Sequence, residues 1–316
     1  MRSRRGDRRR QIGPITAAII AMMGAPVAHG AGPGIVSTPI KSLEASAKSL
    51  IAVRRGSAGD FSSTTEASDA DSVAAFCRRD PEEEKLGKSD RVLALTRVAS
   101  ACVREGELVR GLAVFSEIIG IDPTNEQAYI NRGTIYVKLG MVDEGVADYS
   151  QAISLNPEEA NAWYNRGTAL LSGHDLDRAI RDLTQAVRLN PNLARAYCNR
   201  GFAYQKKLHY ENALKDLSIG IILDGGIAFC YFTRGDLHFQ RGKYCQAIED
   251  LSRGLELKPE IAAALSQRAR AYEHIGDRDK ALKDYEAALK ILKSQKRNQA
   301  TRQKTPRSDF GVGGPQ

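Results

Sequence analysis

Clustered histidines, long apolar runs and catalytic signatures are all missing from this chain. The five histidines never stand three or four residues apart, so the helical spacing that metal ligation needs is absent. No nucleophile elbow and no glycine-rich phosphate loop interrupts the sequence, and no stretch outside its centre is regular or long enough for a catalytic domain. The expectation is a protein that is not an enzyme and takes no cofactor and no metal. Five cysteines in 316 residues are few for a secreted disulfide scaffold. Only Ile12 to Ala28 approaches an apolar run, and Gly13, Pro14, Gly24 and Pro26 break it below the roughly 20 residues of a stable membrane span.

What the chain has instead is a period. Gly133, Gly167, Gly201 and Gly235 are spaced 34 residues apart, each preceded by Arg. Four positions upstream of these glycines stand Tyr129, Trp163, Tyr197 and Tyr231, and three downstream Tyr136, Leu170, Tyr204 and His238. Ala179, Ala213 and Ala247 follow twelve residues after their glycines, and Pro157, Pro191 and Pro259 close three units. A fixed period of this length marks units that bury their apolar faces only against their neighbours.

These offsets resemble the tetratricopeptide repeat. With each glycine at position 8, units start at 126, 160, 194 and 228, and extension by 34 adds starts at 92 and 262. Six units thus cover 92–293 without an insertion. The resemblance implies an all-α fold, a right-handed α-solenoid of six antiparallel helix hairpins. Small residues at positions 8 and 20 permit close helix approach, and aromatics at 4, 11 and 24 fill the space between hairpins. Glycine at position 15 (Gly106, Gly140, Gly242, Gly276) ends the first helix, and proline at 32 ends the second.

Charges form a second ladder. Position 7 holds Arg132, Arg166, Arg200, Arg234 and Arg268, and position 23 holds Asp148, Asp182, Asp216, Asp250 and Asp284. Unit one lacks both, carrying Val98 and Val114. Because the two residues come and go together, each Arg is expected to fork onto the Asp of its own repeat as a structural ion pair.

Outside the repeats the grammar changes. Six arginines crowd Met1 to Arg10, ahead of the apolar Ile12–Ala28, an order that resembles a signal peptide over residues 1–30. It points to an exported bacterial protein, periplasmic or secreted, with an uncleaved inner-membrane anchor as the alternative. Residues 31–70 read as a disordered linker, 71–91 as an upstream helical cap, and 294–316 as a basic disordered tail. Of the net charge of +8, residues 1–10 carry +5 and 294–316 carry +4, while 91–293 carry only +1. A nucleic-acid or anionic-surface partner would therefore act through the tail, as a minor alternative. Cys198, Cys230 and Cys245 read as small buried or half-buried thiols. Cys77 with Cys102 is the one pair entertained for a disulfide.

The family's first helices line a groove, with positions 2, 5, 9, 12 and 13 facing it. By that resemblance a peptide-binding groove is expected at Tyr164, Arg195, Phe202, Lys206, Phe229, Phe232, Phe239 and Gln240. Phenylalanines gathered on a solvent face mark a contact site. The segment expected there is extended or helical, with apolar anchors and some acidic character. Asn131, Asn165 and Asn199 match one asparagine slot of the carboxylate clamp of chaperone-binding relatives, but its basic partners are missing. The function read from the sequence is a protein-interaction scaffold, with self-association into a structural oligomer as the competing class.

Overall fold

The computed structural model describes residues 87–304, with side chains through Asn298. The proposed signal peptide, the linker, most of the upstream cap, Cys77 and the end of the tail lie outside the described residues. Those described form twelve helices and no strand. They divide after Gly173.

The N-terminal unit holds α1 (Lys88–Glu105), α2 (Leu108–Ile121), α3 (Glu126–Lys138), α4 (Val142–Leu155) and α5 (Ala160–Ser172). The C-terminal unit holds α6 (Leu176–Leu189), α7 (Ala194–Lys206), α8 (Tyr210–Leu223), α9 (Ala228–Gln240), α10 (Tyr244–Leu257), α11 (Ala262–His274) and α12 (Arg278–Lys304). Within each unit every helix packs on the next in sequence, the arrangement of an all-α solenoid. Helices α3, α5, α7, α9 and α11 begin at the residues that open each 34-residue period. Helix α1 starts one turn before residue 92.

Local chemistry explains the boundaries. Gly106, Gly140, Gly242 and Gly276 adopt positive φ between 72° and 84° at the turn inside each hairpin. His174 and Leu208 take the same left-handed turn without glycine, at φ 63° and 65°. Between hairpins the carboxylate or carboxamide of Asp122, Asn156, Asn190 and Asp224 accepts the N–H two residues on, at 2.8–3.2 Å. This Asx turn fixes the reversal from one unit to the next.

Helix α12 corrects the expectation of a disordered tail from residue 294. It runs 27 residues to Lys304, whereas α8 and α10 have 14 each. No proline or glycine interrupts Leu292 to Lys304, and its Lys, Gln, Arg and Ala are strong helix formers.

Small residues at positions 8 and 20 bring the paired helices together. Ala179, Ala213 and Ala247 are fully buried. A Cβ on Gly201 would stand 2.8 Å from Leu217 Cγ, so that contact requires glycine. Leu183, Leu217 and Leu251 complete this inner layer of the C-terminal unit.

Candidate functional site

The Arg and Asp ladder is built as paired forks. Arg132 donates from Nε and Nη2 to the two oxygens of Asp148 at 2.8 and 2.7 Å. The same two-point contact joins Arg200 to Asp216, Arg234 to Asp250 and Arg268 to Asp284, at 2.7–2.9 Å. The third guanidinium nitrogen, Nη1, reaches back sixteen residues to a hydroxyl of the preceding repeat. Its acceptors are Ser116 for Arg132, Ser150 for Arg166, Thr184 for Arg200, Ser218 for Arg234 and Ser252 for Arg268. Arg132, Arg200, Arg234 and Arg268 thus tie their own hairpins internally and to the one before. Burial alone would lower the Arg132 pKa, but the bonds to Asp148 outweigh it and hold the guanidinium above its ordinary value. Aromatic rings at position 4 lie beneath several of these cations, Trp163 at 4.9 Å from Arg166 and Tyr197 at 5.5 Å from Arg200.

The residues expected to line a groove divide differently. Phe202, Phe229 and Phe232 are buried, with 3%, 6% and 1% of their surface exposed, which corrects the expectation of an open aromatic patch. Phe202 of α7 and Phe229 of α9 meet edge to face at 5.8 Å and fill the seam between neighbouring first helices. Phe232 turns inward onto Gly254 of α10, where a Cβ would lie 2.6 Å from the ring. Glycine at position 27, where Ala152 and Ala186 stand in other repeats, makes the room. Tyr164 belongs to α5 of the N-terminal unit and is half-buried.

A second correction concerns sulfur. Cys198 of α7 and Cys230 of α9 are joined as a disulfide, their Cα atoms 5.4 Å apart, rather than standing as separate thiols. Gly220 leaves space for it, since a Cβ there would meet Cys198 Sγ at 2.5 Å. Cys102 is buried and Cys245 exposed.

What remains open on α7, α9 and α11 is charged and polar. Arg195, Lys206 and Gln240 are exposed and Phe239 is half-buried. Asp236, at the middle of α9, accepts from Gln205 Nε2 of α7 and Gln240 Nε2, both at 2.7 Å, and from Gln267 Nε2 of α11. One carboxylate therefore links three successive first helices. The amide oxygens of Gln205 and Gln267 are buried and have no protein partner. Lys206 lies 5.1 Å over the Phe202 ring. Although it still reaches solvent, the surrounding walls withdraw enough water to depress its pKa, with Asp236 acting against the shift. Phe239 lies 4.7 Å from the Arg270 guanidinium and packs edge to face on Tyr244 and His274. Sequence reasoning missed Arg270 because it populated the groove positions only through unit five, and Gln267 because it stands at position 6, outside those groove positions. The 31-residue step from Gln205 to Asp236 to Gln267 was the available signal, since it runs diagonally across adjacent first helices.

Among the described residues no group of three or more His, Cys, Asp or Glu is placed to hold a metal ion. None of the described helices is long and apolar enough to cross a membrane.

Stacked hairpins with this small-residue and aromatic register define a helical-repeat interaction scaffold. Residues 130–194 and 232–296 match the tetratricopeptide repeat family model, and the chain is a tetratricopeptide-repeat protein. No curated protein matches the sequence. Among solved structures, the chain is similar to PilF of Pseudomonas aeruginosa, with 17% identity, 67% of this chain and 100% of that chain covered, and a TM-score of 0.59. It is also similar to PilW, described as a widely conserved type IV pilus biogenesis factor, with 20% identity, 63% and 91% covered, and a TM-score of 0.57. The Cut9–Hcn1 structure matches with 16% identity, 82% and 46% covered, and a TM-score of 0.59.

Proposed function

We propose that the face of α7, α9 and α11 binds a segment of another protein, without catalysis. The observation that carries this reading is the Asp236 hub. Three side-chain amides from three consecutive first helices hold one carboxylate, and two amide oxygens beside it lack protein partners. A buried acceptor without a partner costs about 1–3 kcal/mol, a cost that is relieved when the two amides rearrange to meet N–H groups of a bound segment. Arg195, Lys206 and Arg270 outnumber Asp236 and Glu273, so the face favours a segment with acidic residues. Phe239 remains as the aromatic anchor, while the three buried phenylalanines and the disulfide brace the helices beneath it.

The basic and then apolar order of Met1 to Ala28 supports an exported, envelope location. Peptides selected by display on the full chain, then titrated by calorimetry, test the proposal. Acidic sequences whose affinity falls at least about tenfold in Lys206→Glu and in Phe239→Ala support it. Selected peptides indifferent to both substitutions overturn it, as does self-association abolished by the same two changes.

A further inference from the structure

Every complete hairpin except the last is covered by the first helix of the next repeat. In the N-terminal unit Ile153 of α4 packs with Ala162 of α5 and beside Trp163, leaving 8% of its surface exposed. In the C-terminal unit Leu255 of α10 packs with Ala264 and Leu265 of α11, at 7%. The equivalent residue 34 positions on is Leu289 of α12, and it is 54% exposed. Leu282 and Leu292 of the same helix are also open, at 59% and 51%. The slot that accepts a helix in the inner repeats is thus present at the C-terminal end, and none of the described residues covers it.

Two features of α12 separate this end from the inner repeats. It has nearly twice the length of α8 or α10, because Lys293 stands at position 32 where four other units carry proline. The extension is also basic. Lys290, Lys293 and Arg297 line, with Leu289, an open groove of about 540 Å³ along the helix, and Glu286 is the one acidic residue after Asp284 in α12. A second copy related by a two-fold axis would set these cations against themselves.

We propose that the exposed face of α12 docks an acidic amphipathic helix from a partner protein, in the place a seventh first helix would occupy. Its apolar stripe covers Leu282, Leu289 and Leu292, and its carboxylates meet Lys290, Lys293 and Arg297. The site is separate from the Asp236 face and does not depend on the function proposed for it.

Fluorescence anisotropy on the full chain tests this with a labelled synthetic helix, Leu and Ala at i, i+3, i+4 and i+7 with Glu on the flanks. The expected result is binding that weakens at least about tenfold in Leu289→Glu, in Lys293→Glu, and for a probe with Lys in place of Glu. Lys215→Glu, on the exposed side of α8, leaves it unchanged. Leu289 is exposed, so its replacement keeps the fold, which circular dichroism checks. Equal affinity for wild type and Leu289→Glu overturns the proposal. So does a dimer in sedimentation that Leu289→Glu dissolves, which makes the occupant a second copy. Binding to phosphatidylglycerol vesicles in place of the peptide reassigns the face to a lipid surface. Stronger peptide binding after charge reversal of Glu82, Glu83 and Glu84 identifies the chain's own acidic run as the occupant.

Discussion

At the residue scale, the repeating guanidinium is a three-way tie, and its energetics follow from burial. Asp250 is 4% exposed, so removing its partner leaves a buried carboxylate uncompensated. Arg234→Ala is expected to cost about 3 kcal/mol in urea unfolding, whereas Arg234→Met with Asp250→Leu costs much less, because neither charge is then stranded. The pairing of Arg with Asp was legible in the chain because both are missing from unit one. The hydroxyl arm obeys the same logic but went unread: Ser116, Ser150, Thr184, Ser218 and Ser252 each precede a unit that has the arginine, and the last unit carries Glu286 instead. His238 supplies a pH dependence. Burial depresses its pKa, with Asp250 opposing and Arg234, Lys243 and Arg241 adding to the shift. The unfolded chain therefore binds this proton more readily, so stability is retained above the ordinary histidine pKa of about 6.5 and falls as the pH drops below it. His238→Tyr, which restores the residue found at this position in three other units, should flatten that acid limb in thermal unfolding between pH 7 and 5.

At the element scale, the helices were readable and their facing was not. Period, αL glycines and closing prolines fix where each helix begins and ends, since these depend on local backbone chemistry. Which face a side chain takes depends on what the neighbouring helix leaves empty. Phe232 occupies a position that faces a groove by family geometry, yet Gly254 opens a hole and burial wins. Gly254→Ala should force Cβ and ring apart and destabilise by about 1–3 kcal/mol, with the loss recovered in Gly254→Ala combined with Phe232→Leu. The sulfur pair was illegible for a related reason. Cys198 and Cys230 sit at different repeat positions, and only the lateral offset of adjacent first helices brings their Cα atoms to 5.4 Å.

At the scale of the whole molecule, each hairpin is marginal alone and gains stability from its neighbours. The Arg, Asp and hydroxyl ties make that coupling specific, and the disulfide adds a covalent one between α7 and α9. Its ends are 32 residues apart, which by loop entropy is worth about 3–4 kcal/mol. Reductant should lower the unfolding midpoint of the wild type and leave Cys198→Ala with Cys230→Ala unaffected.

The brace matters because it lies under the face that carries Lys206, Asp236, Phe239 and Arg270. The central claim is that this face recognises a protein segment, and the most direct measurement is calorimetric titration of one display-selected acidic peptide into wild type and Lys206→Glu. A single site on the wild type, weakened at least about tenfold by the reversed charge, is the predicted result. Equal affinity for the two proteins would contradict it.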